Sequence, residues 1–147
     1  MDEDVLQLVA DLLGLDEWRA EVLLPTPVHL RRNDHYTDLD PSAGAWFAAG
    51  SPVLVLFAIG PAGVTVAEPK VEWDVQTPVL RVRDRVRHGH GALDEIELAI
   101  QVARATREGR FLTCAECLEH LPPEHLGGMD DAIVCHGCMT RNHGVVF

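Results

Sequence analysis

A chain of 147 residues, 47% hydrophobic and 24% charged, suits one domain with a small appendage and buries roughly two thirds of the surface its unfolded form exposes. Its net charge of −11 excludes a protein that grips nucleic acid with its whole surface, because phosphate contacts need a positive footprint. No apolar run approaches the roughly 18 residues that span a bilayer, and Met1-Asp2-Glu3-Asp4 offers neither the basic nor the apolar region of a secretory signal, so the expectation is a soluble, cytoplasmic protein without membrane contact.

Val5, Leu6, Leu8, Val9, Leu12 and Leu13 fall at helical spacing between Asp2 and Leu13, with acids in the first turn and Gly14 just beyond the end. A second, short helix is expected from Asp16 to just before Pro25, with Trp18, Val22 and Leu23 turned inward. Residues 28–50 are rich in Asn, Asp, Ser, Pro and Gly, which predicts mostly loop anchored by Trp46 and Phe47.

From Pro52 the pattern changes to strand. Val53 to Ile59 is apolar throughout and reads as a central strand; Gly60-Pro61-Ala62-Gly63 turns the chain, and Val64 to Glu68 returns as the hairpin partner. Val71, Trp73 and Val75 alternate beyond Pro69 as its continuation or as a further strand. Leu80 to Arg87 alternates most clearly, with Leu80, Val82, Asp84 and Val86 on one side and Arg81, Arg83, Arg85 and Arg87 on the other. After His88-Gly89-His90-Gly91, Ala92 to Gly109 reads as a helix with Leu93, Ile96, Ala99, Ile100 and Ala103 on one face. Acids open it, and Arg104 and Arg107 close it, which complements the helix dipole.

Four arginines on one face make a candidate partner surface, either for phosphates or for an acidic protein. They equally suit a solvated face or edge protection, paired with Glu68, Glu72 and Asp74. No aromatic residue interleaves with them, so the stacking platform of a single-strand binder is missing. Charge is uneven along the chain: residues 1–40, 41–75, 76–110 and 111–147 carry −7, −2, +2 and −4. One basic band lies inside an acidic protein.

Cys114 and Cys117 form one CxxC pair and Cys135 and Cys138 another, with seventeen residues between them. This is the spacing with which two thiolate pairs close on one tetrahedral zinc, and four sulfurs leave no open position for catalysis. Two disulfides would require an oxidising compartment, and a redox pair would follow a strand in a βαβ unit; neither context is present in the sequence. His136 and His143 read as surface or supporting groups rather than ligands. His88 and His90 stand at a strand end where they would serve an enzyme, but no carboxylate accompanies them at a diagnostic spacing. His29, His35, His120 and His125 are scattered, and there is no HExxH, P-loop, GxSxG or GxGxxG motif.

Residues 111–147 resemble a zinc-ribbon or treble-clef module: a strand-like lead-in, the Cys114/Cys117 knuckle, a proline-containing connection, the Cys135/Cys138 knuckle, and a closing segment whose Gly144-Val145-Val146-Phe147 forms a strand. Their spacing is also similar to that of the DksA/TraR group of RNA-polymerase-binding regulators. The resemblance implies zinc-ligand roles for Cys114, Cys117, Cys135 and Cys138, and it does not extend to residues 1–110.

The expected fold is α+β, a small antiparallel sheet packed with N-terminal helices and one long helix over residues 1–110, plus a four-cysteine zinc finger over 111–147. The expected function is non-catalytic: one structural zinc, and an acidic surface that binds a basic protein as a regulator or inhibitor. The alternatives are a nucleic-acid-binding finger protein using Arg81 to Arg87 and an enzyme at His88 and His90.

Overall fold

The computed structural model describes residues 2–30, 39–74, 77–129 and 132–145. Helices α1 (Asp2–Leu13) and α2 (Glu17–Leu23) lead into strands β1 (Val28–His29), β2 (Ala45–Ala49), β3 (Val55–Gly60), β4 (Gly63–Asp74) and β5 (Thr77–His88). Helix α3 (Leu93–Glu108) follows; then come β6 (Leu112–Thr113), β7 (His120–Leu121), β8 (Leu126–Met129), β9 (Ala132–Cys135) and α4 (His136–His143). Strands β1 to β5 form one antiparallel sheet in sequence order, and β6–β7 and β8–β9 are separate hairpins. The α+β class and the placement of both terminal helices and the long helix agree with expectation.

Burial on both faces explains the continuous apolar runs of β2 and β3. One face carries Phe47, Phe57, Val64 and Val66, packed beneath Val9 and Leu13 of α1, Leu23 of α2, and Ile96 and Ile100 of α3. Phe47 and Phe57 are cross-strand partners whose rings stack with centroids 5.2 Å apart. The other face buries Trp46, Ala48, Leu56, Ala58, Ala67 and Val82, with Leu30, Leu39, Ala43 and Val53 against them. Trp46 and Phe47 thus anchor their segment as expected, but on opposite faces of a strand.

Residues 28–50 are less loop-like than their composition suggests. Val28–His29 pairs with β2, and a single 3-10 turn, Pro41–Ala43, precedes β2. Alanines with weak strand preference conceal β2, which is held by pairing and two-sided burial rather than by alternation. The polar stretch 31–38 lies outside the described residues, as do Val75 and the last two residues of the closing strand expected at the C-terminus. Its described residues, Gly144 and Val145, form no strand: Gly144, at φ +67, ends helix α4 and Val145 follows as irregular backbone.

Helix α2 also departs from expectation. Seven residues provide one narrow inward stripe, and Ala20 and Leu23 occupy it. Trp18 and Val22, expected inside, are 67% and 66% exposed. Two arginines fasten this helix to α3: Arg19 pairs with Glu97, and Arg104 donates to the carbonyls of Val22 and Leu23 at 2.6 and 2.8 Å.

The arginine row does not survive folding as one face. Val66 pairs with Val86, but Glu68 pairs with Arg83, so two residues of β5 oppose Ala67 alone. This is a β-bulge, and Asp84 within it has φ +53. The alternation flips there. Arg83 shares the α3-side face with Glu68, and Arg81, opposite Lys70, follows it, whereas Arg85 and Arg87 lie on the other face around Thr65 and Trp46. Val82 and Val86 are correspondingly separated, the first buried with Trp46 and the second exposed beside α3.

Candidate metal centre

The first pair sits in the tight turn joining β6 to β7. Cys114 N donates to Glu119 O at 2.9 Å and Leu118 N to Cys114 O at 3.0 Å, and Leu118 takes φ +65 to close the turn. Ala115 N donates to Ile133 O at 2.8 Å, which joins this knuckle to β9. The second pair lies where β9 becomes α4: Cys135 is the N-cap and accepts from Cys138 N, one helical turn on. Close packing holds α4 on its hairpin, for a Cβ at Gly127 would stand 2.7 Å from Met139 Cε.

All four Sγ atoms lie within 4.8 Å of one another. Cys117 Sγ and Cys135 Sγ are 3.8 Å apart, too far for a disulfide and close to the about 3.8 Å edge of a tetrahedron with metal–sulfur bonds of about 2.3 Å. Cys114, Cys135 and Cys138 are buried and Cys117 half-buried, all as free thiols. The four sequence-identified cysteines therefore come together as a set able to hold a metal ion.

The surroundings favour thiolates. Cys114 Sγ accepts the amides of Glu116, Cys117 and Cys135 at 3.4, 3.5 and 3.3 Å, and Arg141 donates to Cys138 Sγ at 3.4 Å. Burial pushes the Cys114 thiol up, but those amide hydrogen bonds outweigh it and hold it at about 6. Cys117 goes the other way: the Glu119 amide draws it down, but burial and its contacts with the other three sulfurs push it up to about 12. Arg141 draws the Cys138 thiol down, yet burial and Cys135 leave it raised. Four anions this close repel one another, and a divalent cation removes that conflict. The positive end of α4 adds to the same field at Cys135 and Cys138.

A carboxylate braces the centre from outside. Glu116 accepts from Asn142 Nδ2 and pairs with His143 Nε2, each at 2.7 Å, which ties the first knuckle to the end of α4. These two partners, Asn142 first, hold the Glu116 carboxyl below its usual value. His143 thus supports the site without being a ligand. His136 is half-buried beside the β8 hairpin, and burial lowers its pKa.

His88 and His90 do not assemble. His88 faces α3, with Nδ1 3.8 Å from Glu95 Oε2, while His90 accompanies Gly60 O at 2.6 Å near α1. The strand end therefore gathers no histidine pair.

One pair was missed by the sequence reading. Arg107 is 1% exposed, pairs with Glu124 of the cysteine module, donates through Nε to Val53 O at 3.1 Å, and lies 5.4 Å from the Phe111 ring centre. The signal was its place on the α3 stripe, one step beyond Ile96, Ile100 and Ala103. A charge on an apolar stripe announces a buried partner.

No protein-family model matches the chain, and no curated protein or solved structure matches it either. Among the described residues no helix is long and apolar enough to cross a membrane.

Proposed function

We propose that this chain is a zinc-stapled, non-catalytic binding protein whose partner is a basic protein. The observation that carries the reading is the closed set of four sulfurs, which suits zinc and leaves no coordination position for substrate or water. When bound, zinc neutralises the thiolates and fixes two knuckles that small hairpins alone would hold weakly. A turn-borne first pair, a hairpin, and a second pair at a helix N-terminus support the treble-clef branch of the resemblance. The five-stranded sheet stands where DksA/TraR regulators carry a coiled coil, so the likeness is limited to the ligand set.

The partner's chemistry is argued from charge and exposure. Acids dominate a chain of net charge −11, and α2 leaves Trp18 and Val22 in solvent, each directly after an acid, Glu17 and Glu21. An exposed aromatic anchor with acidic neighbours suits a basic protein surface. Arg85 and Arg87, together on one face, favour a second reading in which two arginines rather than four meet nucleic acid phosphates.

Immobilised zinc-loaded protein, incubated with nuclease-treated cell extract, tests both. Retention of a basic protein, weakened by salt and lost in Trp18→Ala with Val22→Ala, is the expected result. Retention of nucleic acid from untreated extract, lost in Arg85→Gln with Arg87→Gln, would transfer the assignment to the second reading.

A further inference from the structure

Helix α3 packs chiefly on β4 and β3, and the edge strand β5 reaches past it. Between the helix and β5 lies a groove of about 600 Å³, within the size range of small-molecule sites. Its volume exists because α3 turns Ala99 and Ala103 toward it, while Val86, Leu98 and Val102 form apolar rims that are 53%, 61% and 56% exposed.

Both ends of this groove hold a buried polar atom with nothing to bond. Glu68 is 6% exposed, and its Oε1 accepts no hydrogen bond; Arg110 Nε, its ion-pair partner, stands at 3.6 Å, outside hydrogen-bond reach. His88 Nε2 is likewise buried and unpaired. Leaving such groups unsatisfied costs stability, so each points to something that fills it. Glu68 Oε1 is an acceptor, and His88 Nε2 accepts in the tautomer whose proton sits on Nδ1, the nitrogen nearer Glu95. His88 stands opposite Val64, four residues from Glu68 along β4, so the two backbone positions are about 13 Å apart along the strands. The lining carries Glu68, Asp84 and Glu95 against Arg110, with Arg83 held at 3.4 Å by Asp84.

We propose that this groove binds an elongated apolar amine, with N–H donors at both ends and an aliphatic body lying on Ala99, Ala103 and Val86. The acceptors choose amines over carboxylic acids, the apolar walls choose a hydrocarbon body over a polar one, and their separation chooses a length. This site is independent of the α2 surface and of the metal.

Calorimetry on the zinc-loaded full chain, with diaminobutane, diaminohexane, diaminooctane and diaminodecane beside octylamine and octanoate, tests it. Binding should peak at diaminohexane or diaminooctane, weaken for octylamine and diaminobutane, and be absent for octanoate. Glu68→Gln should weaken the best diamine about tenfold to a hundredfold. Val102→Arg, on the exposed rim where folding is not at stake, should abolish it. Equal binding of diaminobutane would reassign the heat to the acidic surface and overturn the proposal; octanoate binding, no diamine binding, or indifference to both variants would also overturn it.

Discussion

Arg107 illustrates how much a single side chain decides here. Its guanidinium is buried between α3, the turn at Val53 that precedes β3, and Glu124, and so is the carboxylate that balances it. Arg107→Ala leaves Glu124 charged and buried without a partner, and should cost about 3–5 kcal/mol. Arg107→Met combined with Glu124→Leu should recover most of that loss, because the desolvated charges go together. Chemical denaturation measures both; single changes costing less than about 1 kcal/mol would mean that water reaches the pair. Asp40 supplies a pH-dependent contact of the opposite kind. The Ser42 hydroxyl and amide donate to it at 2.7 and 2.9 Å and hold its carboxyl below the ordinary 3.8, with the Arg85 charge assisting. A depressed folded value means stability that is present above the unfolded value and lost as pH falls through the folded one. The stability gap between the wild type and Asp40→Asn should therefore be constant near neutrality and close below about pH 4. A gap unchanged at acid pH would show that the charge contributes nothing.

At the scale of elements, the bulge in β5 decides which surface the arginines make. Asp84 tolerates a left-handed backbone because its short polar side chain can bond locally, whereas a branched chain cannot sit there without strain. Asp84→Asn should be near neutral and Asp84→Val should cost about 1–2 kcal/mol in thermal or urea unfolding. Equal stabilities for the two variants would mean that the strand can slip to a regular register. The alternating pattern concealed the bulge, and its one clue was an aspartate among valines and leucine at the apolar positions. Trp18 and Val22 were misplaced for a related reason: seven residues give too short a periodicity to distinguish the stripe that meets α3 from the one that meets solvent. By contrast α1 and α3 were legible from long apolar stripes, and β3 from an apolar run too continuous for a half-exposed strand, though its start fell two residues later than Val53.

At the scale of the molecule, among the described residues the two sheet clusters include none beyond Ala103, and the cysteine cluster includes none before Cys114. The sheet and the metal module therefore have separate sources of stability, with Arg107 and Glu124 bridging them. Removing metal with a chelator, or replacing Cys114 and Cys135 together by Ser, should abolish bound metal and deprotect the amides of β8, β9 and α4 while those of β3 and β4 stay protected. Hydrogen exchange reads this directly. Full protection of the module after metal loss would show that its own small core suffices, and simultaneous loss in both parts would show that the sheet depends on the cysteine module.

The sequence by itself determined the donor set, the long helices, the central strand and the acidic character, because each depends on local spacing or composition. Each CxxC turn aims its own two sulfurs at one point whatever surrounds it. Tertiary structure alone decided where side chains met across distance: the division of four arginines between two faces, the burial of Arg107 against Glu124, and the two unsatisfied polar atoms that line the groove. Those outcomes depend on strand register and on the path of α3 over the sheet, which no local period encodes.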